Sequence, residues 1–124
     1  MRIASNVARY ILGILFTVFG LNGFLQFIPA VPMPGLAGQF VTVLIASHYM
    51  IFVFVVQLIC GLLFLADQYV PLALALIGPV IVNILLFHVS MNLSGIVPGA
   101  LATVCWIVMF YRFRANFAGI FERR

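Results

Sequence analysis

The chain has 124 residues, of which 66% are hydrophobic and only 6% are charged, and its mean hydropathy is +1.30. Soluble domains average about 25% charged residues, so this composition excludes a soluble fold and indicates a compact protein surrounded by lipid. The net charge of +4 comes from arginines near the two ends of the chain. That placement is typical of membrane topology signals and not of a nucleic-acid surface.

The first apolar run, residues 7–28, is long enough to cross a bilayer. A basic start before an apolar run is also seen in signal peptides, but no A-x-A-like cleavage site follows, so we expect a retained helix. Gly13, Thr17 and Gly20 recur at spacings of four and three residues. This stripe of small side chains favours close packing against a neighbouring helix.

Prolines then interrupt residues 29–38 and predict an extended, uncharged loop. Residues 39–48 are expected to form a short helix at the membrane interface. The second apolar run, residues 46–66, predicts a second span, with Gly61 as a further packing point. The turn at Asp67 and Gln68 is too short for anything but a hairpin, so the second and third spans should be antiparallel neighbours.

The third run, residues 69–90, contains Pro79, which removes one intrahelical hydrogen bond and predicts a kink. A short uncharged connector leads to the fourth run, residues 99–111, and then to a basic tail, residues 112–124, expected at the interface. We therefore predict an all-α fold in which the whole chain is one domain, an integral membrane four-helix bundle.

The charges predict how this bundle is oriented. Every arginine lies in a terminal segment, whereas residues 29–38 and 91–98 carry no charge at all. Cytoplasmic segments of membrane proteins carry the excess of basic residues. Four spans then place both termini in the cytoplasm and the two uncharged loops on the outer side.

Polar residues inside the spans are the candidate ligand-binding residues. Most of them fall in the outer half of the predicted bundle, and polar groups in membrane helices generally face the bundle interior or water. This pattern indicates an outward-open cavity. The six candidates are Asn22, Gln26, His48, Gln57, Asn83 and His88.

Each of these candidates also has a structural alternative. His48 and His88 lie close enough to the interface to sit among lipid head groups. Asn83 and Gln57 lie deeper, where each side chain can hold two helices together through an interhelical hydrogen bond. The sequence leaves these alternatives open.

The sequence contains no Ser/His/Asp set, no carboxylate pair, no phosphate-binding glycine loop and no zinc-ligand spacing. We therefore predict no catalytic residue and no metal site. Cys60 and Cys105 differ in predicted depth by about 10 Å, at about 1.5 Å of rise per residue. Because a disulfide requires Cα atoms within about 7 Å, a bridge between them is not expected.

Several strings along the chain resemble the DoxX-like family of small bacterial membrane proteins. They are GxxFxxxGLNGFLxF in residues 13–27, QLICGLLFLADQYVPLAL in residues 57–74, PVIVNILLFH in residues 79–88 and GIVPG in residues 95–99. The combination of ADQYVPLAL with NILLFH carries the resemblance, which extends over nearly the whole chain.

The resemblance implies a four-helix protein of the bacterial inner membrane. The family is named after a membrane subunit associated with a thiosulfate:quinone oxidoreductase, and other members resemble accessory proteins of redox complexes. Many members carry a glutamate in the second span where this chain has Gln57. This difference removes an ionisable group and weakens a proton-relay role, whereas Asn83 and His88 match the family string.

The function expected first is a membrane-embedded accessory or scaffold subunit, not catalytic on its own, that binds a lipid-soluble ligand, a protein partner or a second copy of the chain. The alternative is a quinone-linked redox subunit, in which His48, Asn83 and His88 hydrogen-bond a quinone on the outer side. A small-molecule transporter is a third class, but the spans lack charged coupling residues. Among these functions, only the redox subunit implies a cofactor, which would be a quinone.

Overall fold

The computed structural model describes residues 2–29 and 32–123, and over those residues every regular element is helical. The α-helices are α1 (Arg2–Leu25), α2 (Gly35–Ala46), α3 (Tyr49–Ala66), α4 (Val70–Met91) and α5 (Val97–Arg112). Short 3-10 segments follow α4 and α5, at Leu93–Gly95 and Arg114–Phe121. The predicted all-α class is confirmed.

Three of these helices, α1, α3 and α4, are long and apolar enough to cross a membrane, and α2 and α5 are shorter apolar helices. Large apolar side chains cover the outer surface of the long helices; Phe52, for example, is 73% exposed and Leu86 is 57% exposed. Such a surface is stable in lipid, where apolar side chains need no burial against protein. This is the pattern of a helical membrane protein.

The helix ends differ from the predicted spans. Hydropathy identifies the apolar residues of a span, whereas a helix can extend beyond them where its polar residues are also packed against neighbours. α1 begins at Arg2, before the apolar run, since Ser5 and Ala8 in its first turns are buried. It ends at Leu25 and not at residue 28. α5 extends the fourth run at both ends.

The predicted loop of residues 29–38 is shorter than expected. α2 begins at Gly35, directly after the proline that precedes it, and residues 30 and 31 of the loop lie outside the described residues. α2 ends before His48, whose backbone adopts the left-handed conformation with φ 63°. That residue separates the short helix from α3, so α3 begins at Tyr49 and not at residue 46.

The core forms where four helices meet. α1 packs most extensively against α3 and also against α5, while α4 packs against α3 and α5. α2 contacts α3 and α4 more lightly. Side chains with no more than 1% exposure fill the centre: Leu12, Phe16, Cys60, Phe64, Ala73, Leu74, Ile77, Ala102 and Met109. Cys60 and Cys105 are separate thiols within this core.

Glycines set the distance between α1 and α3. A Cβ atom on Gly20 would lie 2.8 Å from the backbone nitrogen of Leu58, and one on Gly61 would lie 2.5 Å from the backbone nitrogen of Thr17. Real Cβ atoms essentially never approach so closely. The predicted small-residue packing between these helices is therefore confirmed.

Charged groups gather at one end of the molecule. The buried Arg9 on α1 donates from Nη1 to the carbonyl oxygen of Phe64 at 2.6 Å, and its Nε lies 3.6 Å from Oδ1 of Asp67 in the α3–α4 hairpin. Arg112 at the end of α5 donates to Oγ of Ser5 at 2.9 Å. The start of α1, the end of α5 and the α3–α4 hairpin therefore lie together, and the hairpin makes α3 and α4 antiparallel neighbours as predicted.

Candidate functional site

A cavity of about 610 Å³ opens at the end of the molecule opposite the charged groups, where α1 and α4 finish and α5 begins. Its size falls within the range of roughly 300–1,000 Å³ that is typical of small-molecule sites. Most of its wall is apolar, and Phe16, Phe19 and Phe54 contribute aromatic rings. Four of the predicted polar residues also line it: Asn22, Gln26, Gln57 and His88.

Gln57 is the deepest polar group in the cavity. It lies eight residues after the start of α3, about 12 Å into the helix at 1.5 Å per residue. The residue is only 7% exposed, and its side-chain amide makes no hydrogen bond within the part of the chain that the structure describes. Among the described residues, the fully buried side-chain polar atoms without a hydrogen-bond partner are Nε of Arg9 and Oγ1 of Thr17. The Gln57 amide therefore keeps access to the cavity, where it is available to a polar ligand atom.

His88 lies near the end of α4, one to two helical turns closer to the mouth of the cavity. Its Nδ1 is 2.8 Å from the carbonyl oxygen of Ile84, one turn earlier in the same helix. Its ring packs edge-on against Phe87, with 5.1 Å between the ring centroids. These two contacts hold the imidazole in one orientation, with its Nε2 edge toward Gly95.

Asn22 and Gln26 lie at the end of α1, at the rim of the cavity. Oδ1 of Asn22 accepts a hydrogen bond from the backbone N–H of Ile28 at 2.8 Å, which fixes the chain as it leaves the helix. Gln26 is exposed and has a left-handed backbone with φ 52°, which ends α1. Asn22 therefore shapes the rim, while Gln26 is free to contact a ligand at the entrance.

The structure does not bring the other two predicted residues to this cavity. His48 is exposed in the turn between α2 and α3. Asn83 is also exposed, and its Nδ2 donates to the carbonyl oxygen of Pro79 at 2.8 Å within α4. That bond satisfies one N–H group of the amide inside its own helix, on the side away from the core.

Sequence reasoning missed the apolar residues that shape the cavity. Phe16 was noted only as part of the string in residues 13–27, and Phe19 and Phe54 gave no signal, because phenylalanine is common in any apolar span. Ile45 of α2 and Gly95 also line the cavity. The GIVPG string had marked Gly95 and Gly99, but only the fold places both glycines against α4, where they leave space beside Ile84 and His88.

The described lining of the cavity can bind an amphipathic molecule. Its polar groups are amides and one imidazole, set among aromatic and aliphatic side chains. This combination suits a compact polar head group attached to an apolar body.

Comparisons of the chain with models of protein families, with curated proteins and with solved structures found no match.

Proposed function

We propose that this chain is an integral membrane protein that binds a lipid-soluble ligand with a polar head group, and that it acts as an accessory subunit without catalysis of its own. The observation that carries this proposal is the amide of Gln57, a residue only 7% exposed, which lines the cavity and has no hydrogen bond among the described residues. A side chain that only joined two helices would have its partner within the protein.

The proposed setting is the bacterial inner membrane, crossed four times by α1, α3, α4 and α5, with both termini in the cytoplasm. The positive-inside rule supports this orientation, since Arg9 and Arg112 lie at the end of the molecule opposite the cavity. The cavity would then open toward the outer half of the membrane. α5 has 16 residues, a length of about 24 Å, so this span would need a locally thin bilayer or flanking residues that reach the interface.

Membership of the DoxX-like family is part of the proposal and rests on the four sequence strings. Two of these strings contribute polar cavity residues at positions that the strings specify: Asn22 comes from the first and His88 from the third. Their presence in one cavity supports a shared role for these two strings in ligand binding.

A quinone-linked subunit is the second candidate. Three phenylalanine rings beside Gln57 and His88 suit a planar head group with polar atoms on opposite edges. In this alternative His88→Ala abolishes quinone-dependent electron transfer by the complex while the protein remains folded. Unchanged activity in that variant would exclude the alternative.

The test of ligand binding is mass spectrometry of protein purified in mild detergent. We expect a lipid-soluble molecule near one equivalent per chain in the unmodified protein. It should be lost in Gln57→Leu and kept in Asn83→Leu, a matched removal of an amide outside the cavity. A protein free of bound ligand, or equal retention by both variants, would contradict the proposal.

A further inference from the structure

The hydrogen bond of His88 determines which of its ring nitrogens faces the cavity as an acceptor. Nδ1 lies 2.8 Å from the carbonyl oxygen of Ile84, and a carbonyl oxygen can only accept a hydrogen bond. Nδ1 therefore carries the proton of the neutral ring. Nε2 is then left with a lone pair and no proton.

The surroundings of Nε2 leave this lone pair open to a ligand. A Cβ atom on Gly95 would lie 3.2 Å from Nε2 and also 3.2 Å from Nδ2 of Asn92, so the absence of a side chain at residue 95 leaves space between these two nitrogens. Nδ2 of Asn92 itself donates to the sulfur of Met33 at 3.5 Å. Within residues 2–29 and 32–123, Nε2 has no hydrogen-bond partner. His88 and Gly95 both line the cavity.

The other polar side chains of the cavity do not require a hydrogen-bond donor on the ligand. The amide of Gln57 has both donor and acceptor atoms and can rotate to suit either kind of ligand atom. Gln26 at the rim offers the same choice. His88 is therefore the one cavity-lining polar group among the described residues that presents only an acceptor.

We infer that the ligand carries a hydrogen-bond donor on its head group and that this donor is a hydroxyl group on a ring, as in an alkylphenol or a hydroquinone. This inference rests on the proposed function and narrows the class of ligand. An ether or a quinone carbonyl would place a second acceptor against the half-buried Nε2 and displace water from it, leaving the lone pair without a donor. The rings of Phe16, Phe19 and Phe54 favour a flat head group over a sugar or a phosphate.

The experiment compares 4-nonylphenol with its methyl ether, which has the same ring and tail and lacks the donor. The protein is placed in phosphatidylcholine nanodiscs, and binding is measured by equilibrium dialysis against empty nanodiscs, which report simple partitioning into lipid. We expect the phenol to bind at least about ten-fold more tightly than the ether, which corresponds to one acceptor left without a donor.

Two variants test whether His88 causes the preference for the phenol over its methyl ether. His88→Phe keeps a flat ring and removes both nitrogens, and we expect its phenol-to-ether ratio to fall to about one. Asn83→Leu, which changes a polar residue of the same helix outside the cavity, should keep the full ratio.

The outcomes separate this inference from the proposed function. Equal binding of the two probes to the unmodified protein would overturn the donor requirement and leave ligand binding standing. A phenol preference that persists in His88→Phe would also overturn it. Absence of saturable binding of either probe would overturn both the donor requirement and the proposed function.

Discussion

At the scale of single residues, Gln57 separates a ligand-binding role from a structural one. The structural alternative holds that its amide stabilises the bundle through an interhelical hydrogen bond, but no such bond is present among the described residues. The two roles therefore make opposite predictions for the stability of the protein without ligand.

Gln57→Leu should leave the melting temperature of the ligand-free protein unchanged or raise it, because no hydrogen bond within the described residues is lost and leucine adds apolar surface to the cavity wall. The measurement is thermal unfolding in detergent after the ligand has been removed. A fall in melting temperature that corresponds to about 1 kcal/mol or more would assign Gln57 to helix packing instead.

Arg9 is a residue whose role sequence reasoning described incompletely. Its charge was interpreted as a topology signal, but its side chain is buried and donates to the carbonyl oxygen of Phe64 in the last turn of α3. That oxygen also accepts a hydrogen bond from the backbone N–H of Asp67 at 3.3 Å, and a cation at the end of a helix complements the helix dipole. Arg9 therefore joins α1 to the end of α3.

Arg9→Met should lower the stability of the protein by about 1.5–3 kcal/mol, the usual contribution of a hydrogen bond to a charged group. Asp67→Asn is the matched control. The Asp67 side chain is 62% exposed, and its ion pair with Arg9 should contribute less than about 1 kcal/mol. Thermal unfolding of both variants checks that Arg9→Met loses more stability than Asp67→Asn. Equal losses of stability would show that the ion pair matters more than the hydrogen bond to Phe64.

At the scale of the helices, the contact of α1 with α3 depends on the absence of side chains at two glycines. Gly61 lies against the backbone of Thr17, so an added methyl group cannot be accommodated by rotating a side chain. Gly78 on α4 differs, because a Cβ atom there would lie 3.6 Å from the ring of Trp106, an ordinary contact distance.

Gly61→Ala should therefore destabilise the protein by about 1–3 kcal/mol, the usual cost of overpacking. Gly78→Ala should have no destabilising effect and can gain up to about 1 kcal/mol from helix propensity. Unfolding of the two variants in the same detergent tests this contrast. If Gly61→Ala is as stable as Gly78→Ala, then α1 can move away from α3 without loss of stability.

α4 is joined to α5 by a side-chain hydrogen bond. The helix runs from Val70 to Met91 through Pro79 without interruption. Nε1 of Trp106 on α5 donates to the carbonyl oxygen of Leu74 at 2.9 Å, five residues before the proline. The carbonyl oxygen of Ala75 is the one to which an N–H at residue 79 would donate, so the Trp106 bond connects the two helices and does not replace the bond that Pro79 removes.

At the scale of the whole molecule, the proposed orientation can be tested by labelling. Ser94 lies in the connection between α4 and α5, and Gln68 lies in the α3–α4 hairpin; both are exposed. We expect a membrane-impermeant maleimide to label Ser94→Cys in intact spheroplasts and to label Gln68→Cys only after lysis. The native cysteines are buried and should give little background. The reverse pattern would invert the proposed topology.

The sequence by itself determined the helical class and the approximate positions of the long apolar helices, because apolar length and the rarity of charge are properties of local composition. It also identified the polar side chains from which the site is built. Asn22, Gln26, Gln57 and His88 stand out in any apolar span because burying them without a partner is costly.

Only the tertiary structure decided which polar residues share a site. Asn83 and His88 are five residues apart on one helix, yet His88 lines the cavity and Asn83 is on the outer surface of α4. The direction of a side chain depends on how α4 packs against α3 and α5, and composition does not specify that packing. The acceptor nitrogen of His88 and the space beside it at Gly95 likewise exist only once α4, α5 and their connection are folded together.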